Sequence, residues 1–446
     1  MRLVSTTTNP KLSLGILLFL VSFSTFAQEN SPFSRYGLGD LFSGQNIVNR
    51  GLGGLSSPYV DGQSINFYNP ASYSAHRFVT FDVGINIDNR NLKSASPVKK
   101  FSSTNFTPSY VSLGMPLNKA KNLGIAFGIR PISKINYAIQ ERKRVAGIDS
   151  FATLYEGNGG LYQLFAGVGK RWGGFSIGFN TGYSFGRRET NTRVVPLNDT
   201  VFYYESNSRT TTTYGKAFFN SGMQYRFGVS KNSAMTLGFT TALKQTFDAR
   251  QDVVRETYSF TSGRADTARV TVSESLNNRG TIEVPSTYTA GLSYSTTITD
   301  RFGGTIQKGM LGVEFESAKW SQFKFYNQPD KLTDSWQFRL AGQFIPNPLS
   351  TSSYWNMVTF RAGFYTGKDY VNADGKELKV NGLTLGAGLP IRNWRGYGST
   401  QSTVLNTAIE VGKRGSKANN ITENYFRISF GMALSDFGWF QKRRYD

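Results

Sequence analysis

From residue 77 onward the sequence keeps returning to one pattern, an apolar side chain at every second position. Val79, Phe81, Val83, Ile85 and Ile87 alternate with Thr80, Asp82, Gly84, Asn86 and Asp88, and Phe426, Ile428, Phe430, Met432 and Leu434 close the series. Successive side chains of a strand point to opposite faces, so each run specifies a sheet that is apolar on one side and polar on the other. Each run is on the order of ten residues, the length of a tilted membrane-crossing strand. Fourteen runs are legible, near 77–88, 106–116, 122–137, 155–170, 174–187, 213–228, 234–248, 283–295, 309–319, 333–345, 355–366, 379–390, 402–413 and 424–435. The connections after the second, fourth and sixth are short ("LNKAKN", "RWGG", "GVSKNS"), and those after the first, third, fifth and seventh are longer and polar, the longest near 249–282. Short turns on one side and long loops on the other describe an outer-membrane barrel. A soluble sandwich would use shorter strands, and a propeller would show a blade repeat that this chain lacks. The expected fold class is therefore all-β: a transmembrane antiparallel β-barrel of about fourteen strands.

Composition narrows the chemistry. The 446 residues contain no cysteine and one histidine, His76, which removes thiolate sites and leaves little room for His-based catalysis or clustered metal ligands. No catalytic group, cofactor site or metal site is expected. The formal charge is +21, but the basic residues form no nucleic-acid signature, so anionic lipid head groups and lipopolysaccharide are the expected partners rather than nucleic acid. "GFSIG" (Gly174–Gly178) matches a nucleophile-elbow pattern, yet it lies inside an alternating strand. The chain is read as no enzyme.

The N-terminus has basic Arg2 and Lys11, an apolar run from Leu14 to Val21, and small residues at Thr25 and Ala27. That is the order of an export signal spanning residues 1–27. No later run reaches helical membrane-crossing length. A fourteen-strand ring is wider than the eight-strand barrels that side chains fill, so an empty lumen would leak. Residues 28–75 are in place to fold back as a hatch or plug, leaving 76–446 for the barrel. They carry seven glycines (Gly37, Gly39, Gly44, Gly51, Gly53, Gly54, Gly62), and Phe33, Phe42, Phe67 and Tyr68 are the candidate anchors inside.

This segment also carries a family resemblance. "SRYGLGDLFSGQNIVNRGLGGLSSPYVDGQSINFYNPASYS" resembles the N-terminal hatch of the FadL family of outer-membrane transporters for hydrophobic compounds. The shared marks are Gly37 and Gly39, "NRGLGG" from Asn49 to Gly54, Asp61, and the step Asn69, Pro70, Ala71. The opening "SPFSRYGLGD" looks like homologues of Bacteroidota-type, Gram-negative bacteria, several of which resemble accessory barrels of secretion or assembly machines. The resemblance implies passive uptake of hydrophobic, fatty-acid-like small molecules across the cell outer membrane, with Phe33, Phe42, Phe67, Tyr68, Asn69, Pro70 and Ala71 as hatch or ligand-contacting residues.

Pro131 lies inside the third run, where it cannot donate to a ladder. A bulge or early strand end is one reading. A kink that opens the wall sideways, as the FadL resemblance implies, is the other. Any such gap needs cover from within, and "NFYNPASY" is the segment expected to supply it. Lys99-Lys100, Arg142-Lys143-Arg144 and Arg187-Arg188 fall in or beside outer loops, as solvated charges or contacts to lipopolysaccharide. Two functions remain open at this stage: a passive carrier of hydrophobic molecules with lateral release into the membrane, or an accessory or plug subunit of a type 9 secretion-like or assembly complex.

Overall fold

The computed structural model describes residues 31–42, 44–145, 149–197, 204–258, 270–299, 305–350, 353–372, 375–391 and 401–436. The export-signal reading, residues 259–269 of the long expected loop and the residues after Asp436 lie outside them.

Fourteen strands form the ring: β1 Val79–Ser94, β2 Lys99–Asn118, β3 Leu123–Val145, β4 Asp149–Trp172, β5 Phe175–Pro196, β6 Glu205–Ser230, β7 in two halves (Ser233–Ala242 and Gln245–Tyr258), β8 in two halves (Val270–Val284 and Thr287–Thr299), β9 Thr305–Ala318, β10 Ser335–Phe344, β11 Thr359–Lys368, β12 Lys379–Ile391, β13 Gln401–Arg414 and β14 Ile421–Asp436. Each pairs antiparallel with the next, and β14 returns to β1 from Asp436↔Val79 to Ile421↔Ser94. Pairing of the last strand to the first removes the edge that a terminal strand would leave in hydrocarbon, where an unpaired backbone group costs several kcal/mol.

The alternation sets the two faces. Phe81, Val313, Phe315, Leu383 and Phe430 are exposed on the outside, while Asp82, Asn86, Glu314 and Thr384 between them are buried within. The breaks in β7 and β8 face each other: Ala242 and Thr287 end the inner ladder, and Gln245 and Val284 begin the outer one. Pro285 sits in that break and cannot donate to it.

Several strands run further outward than the alternation indicates. The segment 249–282, expected as a loop, is mostly ladder, with the outer halves of β7 and β8 paired from Gln245↔Val284 to Thr257↔Val270. Polar residues continue a β-ladder once its backbone groups bond one another, because apolar alternation is needed only where lipid touches the sheet. The connections at 119–122, 173–174 and 231–232 are tight, as expected, but the one from 345 to 358 on that same side is long.

Residues 31–78 precede the ring and pack against its inner wall. Asn46 caps a short helix, α1 (Ile47–Gly51), by accepting from the Asn49 N–H at 2.9 Å. Asn69 caps a 3₁₀ turn at Pro70–Ala75 in the same way through Ala71, with Pro70 preset at its first position. The wall meets this segment at glycines: a Cβ on Gly222 would stand 2.0 Å from Asn69 Oδ1, and one on Gly238 2.1 Å from the Ser57 carbonyl. Further round the ring, on β11, a Cβ on Gly363 would lie 2.2 Å from the Gly53 nitrogen.

Candidate functional site: the occupied lumen

The expected hatch residues divide in two. Phe33 and Phe67 are buried, whereas Phe42 and Tyr68 are half-buried and line the remaining cavity. Phe67 packs edge-on to Tyr110 (5.1 Å) and beside Phe165 (5.6 Å), with the Arg130 guanidinium 5.1 Å from its ring. Phe33 lies under the Arg414 guanidinium at 4.4 Å. Asn69 donates to the Ser57 carbonyl at 2.6 Å, and Pro70 and Ala71 are wholly buried against the β5 wall at Gly178.

Charged side chains, which the sequence reading left out, also hold this segment to the wall. Glu314, inward on β9, accepts from the Ser56 and Ser57 N–H groups at 2.9 and 2.5 Å and from Arg339 of β10 at 2.6 Å. Arg339 also reaches Glu316 at 2.9 Å, and Glu316 accepts from the Tyr68 hydroxyl at 2.5 Å. Asp40 accepts from Arg90 of β1 at 2.9 Å and from Arg414 of β13 at 2.8 Å. Burial pushes the Asp40 carboxyl up, but the two guanidiniums outweigh it and hold it below the usual carboxylate range. Arg50 on α1 is drawn down to about 10, first by burial and then by Arg427, with Glu410 and Asp88 opposing. It remains charged at neutral pH. Arg427 itself bridges Asp88 and Glu410.

Beside this segment lies a cavity of about 450 Å³, lined by Arg50, Arg90, Arg130, Glu316, Glu410 and Arg427 as well as by Leu38, Phe42, Ile132, Phe247, Trp320 and Tyr68. Its outer side carries an apolar cluster. Trp320 and Phe323 after β9, and Tyr370, Val371 and Leu378 after β11, meet Phe33 and Leu38 there. Trp320 lies 4.8 Å from Tyr370, whose hydroxyl donates to the Gly39 carbonyl.

Pro131 stands where the wall changes. β2 and β3 are paired from Asn118↔Leu123 to Val111↔Ile129, and no pairing between them continues beyond, among the described residues. β3 stays paired to β4 across Pro131↔Tyr162, with a register shift before Ser133. A second proline, Pro108, lies on β2 beside a shift against β1. Continuing the β2–β3 register would set Ser109 opposite Pro131, so both strands lose a donor at the same level. The sequence reading missed Pro108, although a proline inside the second run was its signal.

The cover over this break comes from residues 31–42. Asp40 and Leu41 pair with Lys134 and Ser133, the Phe42 N–H donates to the Ile132 carbonyl at 2.9 Å, and the Ser31 N–H to the Asn136 carbonyl at 2.9 Å. "NFYNPASY", expected there, reaches the break through Phe67, which packs on Tyr110 and under Arg130, and otherwise packs against β3 to β6, where Gly124, Gly178 and Gly222 admit its backbone. Of the basic pairs, Lys99, Lys100, Arg142, Lys143 and Arg144 are exposed. Arg188 turns inward, donating to the Gly37 and Arg35 carbonyls at 3.3 and 3.2 Å. Ser176 of "GFSIG" is an inward residue within β5.

A family model described as BamG matches residues 11–446. No curated protein sequence matches the chain. Among solved structures, the Pseudomonas putida toluene transporter TodX aligns with a TM-score of 0.55 at 15% identity, covering 90% of this chain and 100% of that one. A Pseudomonas aeruginosa FadL homologue gives 0.52 at 11%, covering 90% and 100%. The Ralstonia pickettii toluene transporter TbuX gives 0.51 at 11%, covering 88% and 98%. The FadL likeness is thus one of fold: a closed fourteen-strand antiparallel barrel.

Proposed function

The chain belongs to the BamG family, and on that premise we propose that it serves as an accessory barrel of an outer-membrane assembly or secretion complex, with residues 28–75 as a fixed plug. The observation that carries this reading is the lumen itself. The plug is tied to β9 and β10 through Glu314 and Arg339 and to β1 and β13 through Asp40 with Arg90 and Arg414, and charged side chains stand among the apolar ones that line the cavity beside it. An apolar ligand there would meet charged groups such as Arg50, Arg90 and Glu410, whose desolvation opposes the about 25 cal/mol per Å² that its own burial returns. The family's name points the same way, to an assembly complex. The test is isolation from native membranes in mild detergent, with mass spectrometry of proteins and lipids together. Stoichiometric recovery of other outer-membrane proteins is expected. A barrel recovered alone, carrying a bound hydrocarbon or fatty acid, overturns it.

One observation favours a second reading, passive uptake of hydrophobic, fatty-acid-like molecules with lateral release. The β2–β3 ladder stops at Val111↔Ile129 beside two prolines, and the fold is shared with toluene transporters. In this reading a probe leaves sideways past Phe42, and Pro131→Ala slows its uptake. Equal uptake by wild type and variant counts against it. In both readings the exposed Lys99, Lys100 and Arg142 to Arg144 contact anionic lipopolysaccharide on the outer leaflet.

A further inference from the structure

The outer ends of β3 to β8 build something the ring does not need. Pairing continues to Val145↔Asp149 between β3 and β4, to Phe151↔Pro196 between β4 and β5, and to Val194↔Ser206 between β5 and β6. It goes on to Glu205↔Tyr258 between β6 and β7 and to Val270↔Thr257 between β7 and β8. The result is a six-stranded sheet that stands out from the ring and, unlike the ring, does not close. It ends in two edges, the outer parts of β3 and of β8.

The two edges are treated differently. On β3, Asp40 and Leu41 pair with the lower part, and the upper part carries Glu141, Arg142, Lys143 and Arg144. Charges of that kind are the usual guard against a foreign strand. On β8, the edge reads "VTVSESLN" from Val270 to Asn277, with Glu274 its one charge, and every residue of it is exposed. Val270 is 62%, Val272 66% and Leu276 57% exposed. Its foot is already used as a template. Lys324 and Phe325 pair antiparallel with Glu283 and Ile282, and Tyr326 donates its N–H to the Thr281 carbonyl (2.9 Å) and its hydroxyl to the Asn278 carbonyl (3.0 Å). The chain then turns back at Gln328 and Pro329. Above that point no strand covers the edge, among the described residues.

We propose that Val270–Asn277 is a docking strand: an extended segment of a second protein adds to β8 antiparallel, above Lys324–Phe325, on the outer side of the membrane. Main-chain hydrogen bonds supply the attachment, and alternating apolar side chains of the incoming segment cover Val270, Val272 and Leu276. A second copy of this chain fits less well. The ladder to β7 is shifted between Thr271 and Ser273 and between Ser275 and Asn278. A two-fold pairing centred on the regular stretch between those shifts would set Glu274 directly against Glu274, a like-charge pair that destabilises a sheet. A neutral or basic residue of a different chain suits that position.

This inference rests on the accessory-subunit reading, and its test separates the two. Tagged wild type, a Val272→Lys/Leu276→Lys variant and a Val98→Lys control (Val98 is 88% exposed, away from the edge) are isolated from native membranes in mild detergent. Heat-shifted electrophoretic mobility establishes that each is folded. Wild type and control should hold the same partner, and the double variant should lose it by roughly tenfold or more. Amide exchange over 270–278 should be slower in the wild-type complex than in the barrel freed from it. A complex equally stable in the double variant, or unchanged exchange over 270–278, overturns the docking strand while leaving the subunit reading intact. A wild-type barrel that elutes alone overturns both, and a homodimer that the double variant abolishes assigns the edge to self-association instead.

Discussion

Glu314 shows how one side chain serves wall and plug together. Its carboxylate is fully buried, yet it takes two backbone N–H groups from the plug and a guanidinium from β10. Buried charges persist only where such partners offset desolvation, and removing one partner leaves the other uncompensated. Glu314→Ala should therefore destabilise the protein by about 3–5 kcal/mol, while a Glu314→Ala/Arg339→Ala pair should cost less than the two singles together. Thermal unfolding of the four proteins closes that cycle, and additive losses would show that the pair does not act as a unit. His76 gives a different test. It is buried against Tyr73 (5.5 Å between rings), and burial alone takes its pKa down to about 4. The folded state keeps it neutral between about pH 4 and its ordinary 6.5, while the unfolded state binds a proton in that window. Stability then falls as pH drops, by about 2 kcal/mol between pH 7 and pH 5. His76→Phe should flatten that slope, and a variant with the wild-type slope would place the acid sensitivity elsewhere.

At the level of elements, the alternation alone located the ring, because lipid contact demands an apolar residue at every second position and nothing else in the chain repeats that way. It also placed the break at Pro131, since a missing donor is a property of one residue type. What could not be read were strand ends above the membrane and the side on which the break is covered. Outer β5 and β6 are rich in Thr, Arg and Asn, which suit a loop as well as a ladder in water, so only the pairing itself decides between them. "NFYNPASY" brings only Phe67 to the break, while the backbone pairing there comes from Asp40 to Phe42, because nearness in sequence to β1 says nothing about position in the lumen. The inward charges were legible in principle: Glu314, Arg339, Arg361 and Arg427 each interrupt an alternating run at the polar phase. The break makes its own prediction. Amide exchange along β2 should be slow from Val111 to Asn118 and faster for those amides of Phe101 to Tyr110 that do not face β1. Uniform protection through Pro108 would mean that the two strands zip closed in the membrane.

As a whole molecule, the protein is a closed fourteen-strand ring with residues of 31–78 packed against its inner wall. Ring size alone would give an aqueous pathway intermediate between filled eight-strand barrels and open sixteen-strand pores. Three devices oppose it: close backbone contact at wall glycines, ion pairs from plug to wall, and the apolar cluster around Trp320 and Tyr370 on the outer side. The glycine contacts are the most directly testable, because they involve neither the lipid face nor the ladder. Side chains at Gly222, Gly238 and Gly363 would occupy space held by Asn69, Ser57 and Gly53, at separations of 2.0, 2.1 and 2.2 Å for the first carbon alone. Valine is at home in a strand, so a Gly222→Val/Gly238→Val/Gly363→Val barrel should still close while its plug fails to seat. In planar bilayers the wild type should show no steps of ionic current, and the triple variant should conduct. The same change where an added side chain meets open space, Gly228→Val, should stay silent. If the wild type conducts, or if the triple variant folds and remains silent, then close packing of residues 31–78 against the wall is not what keeps the lumen shut.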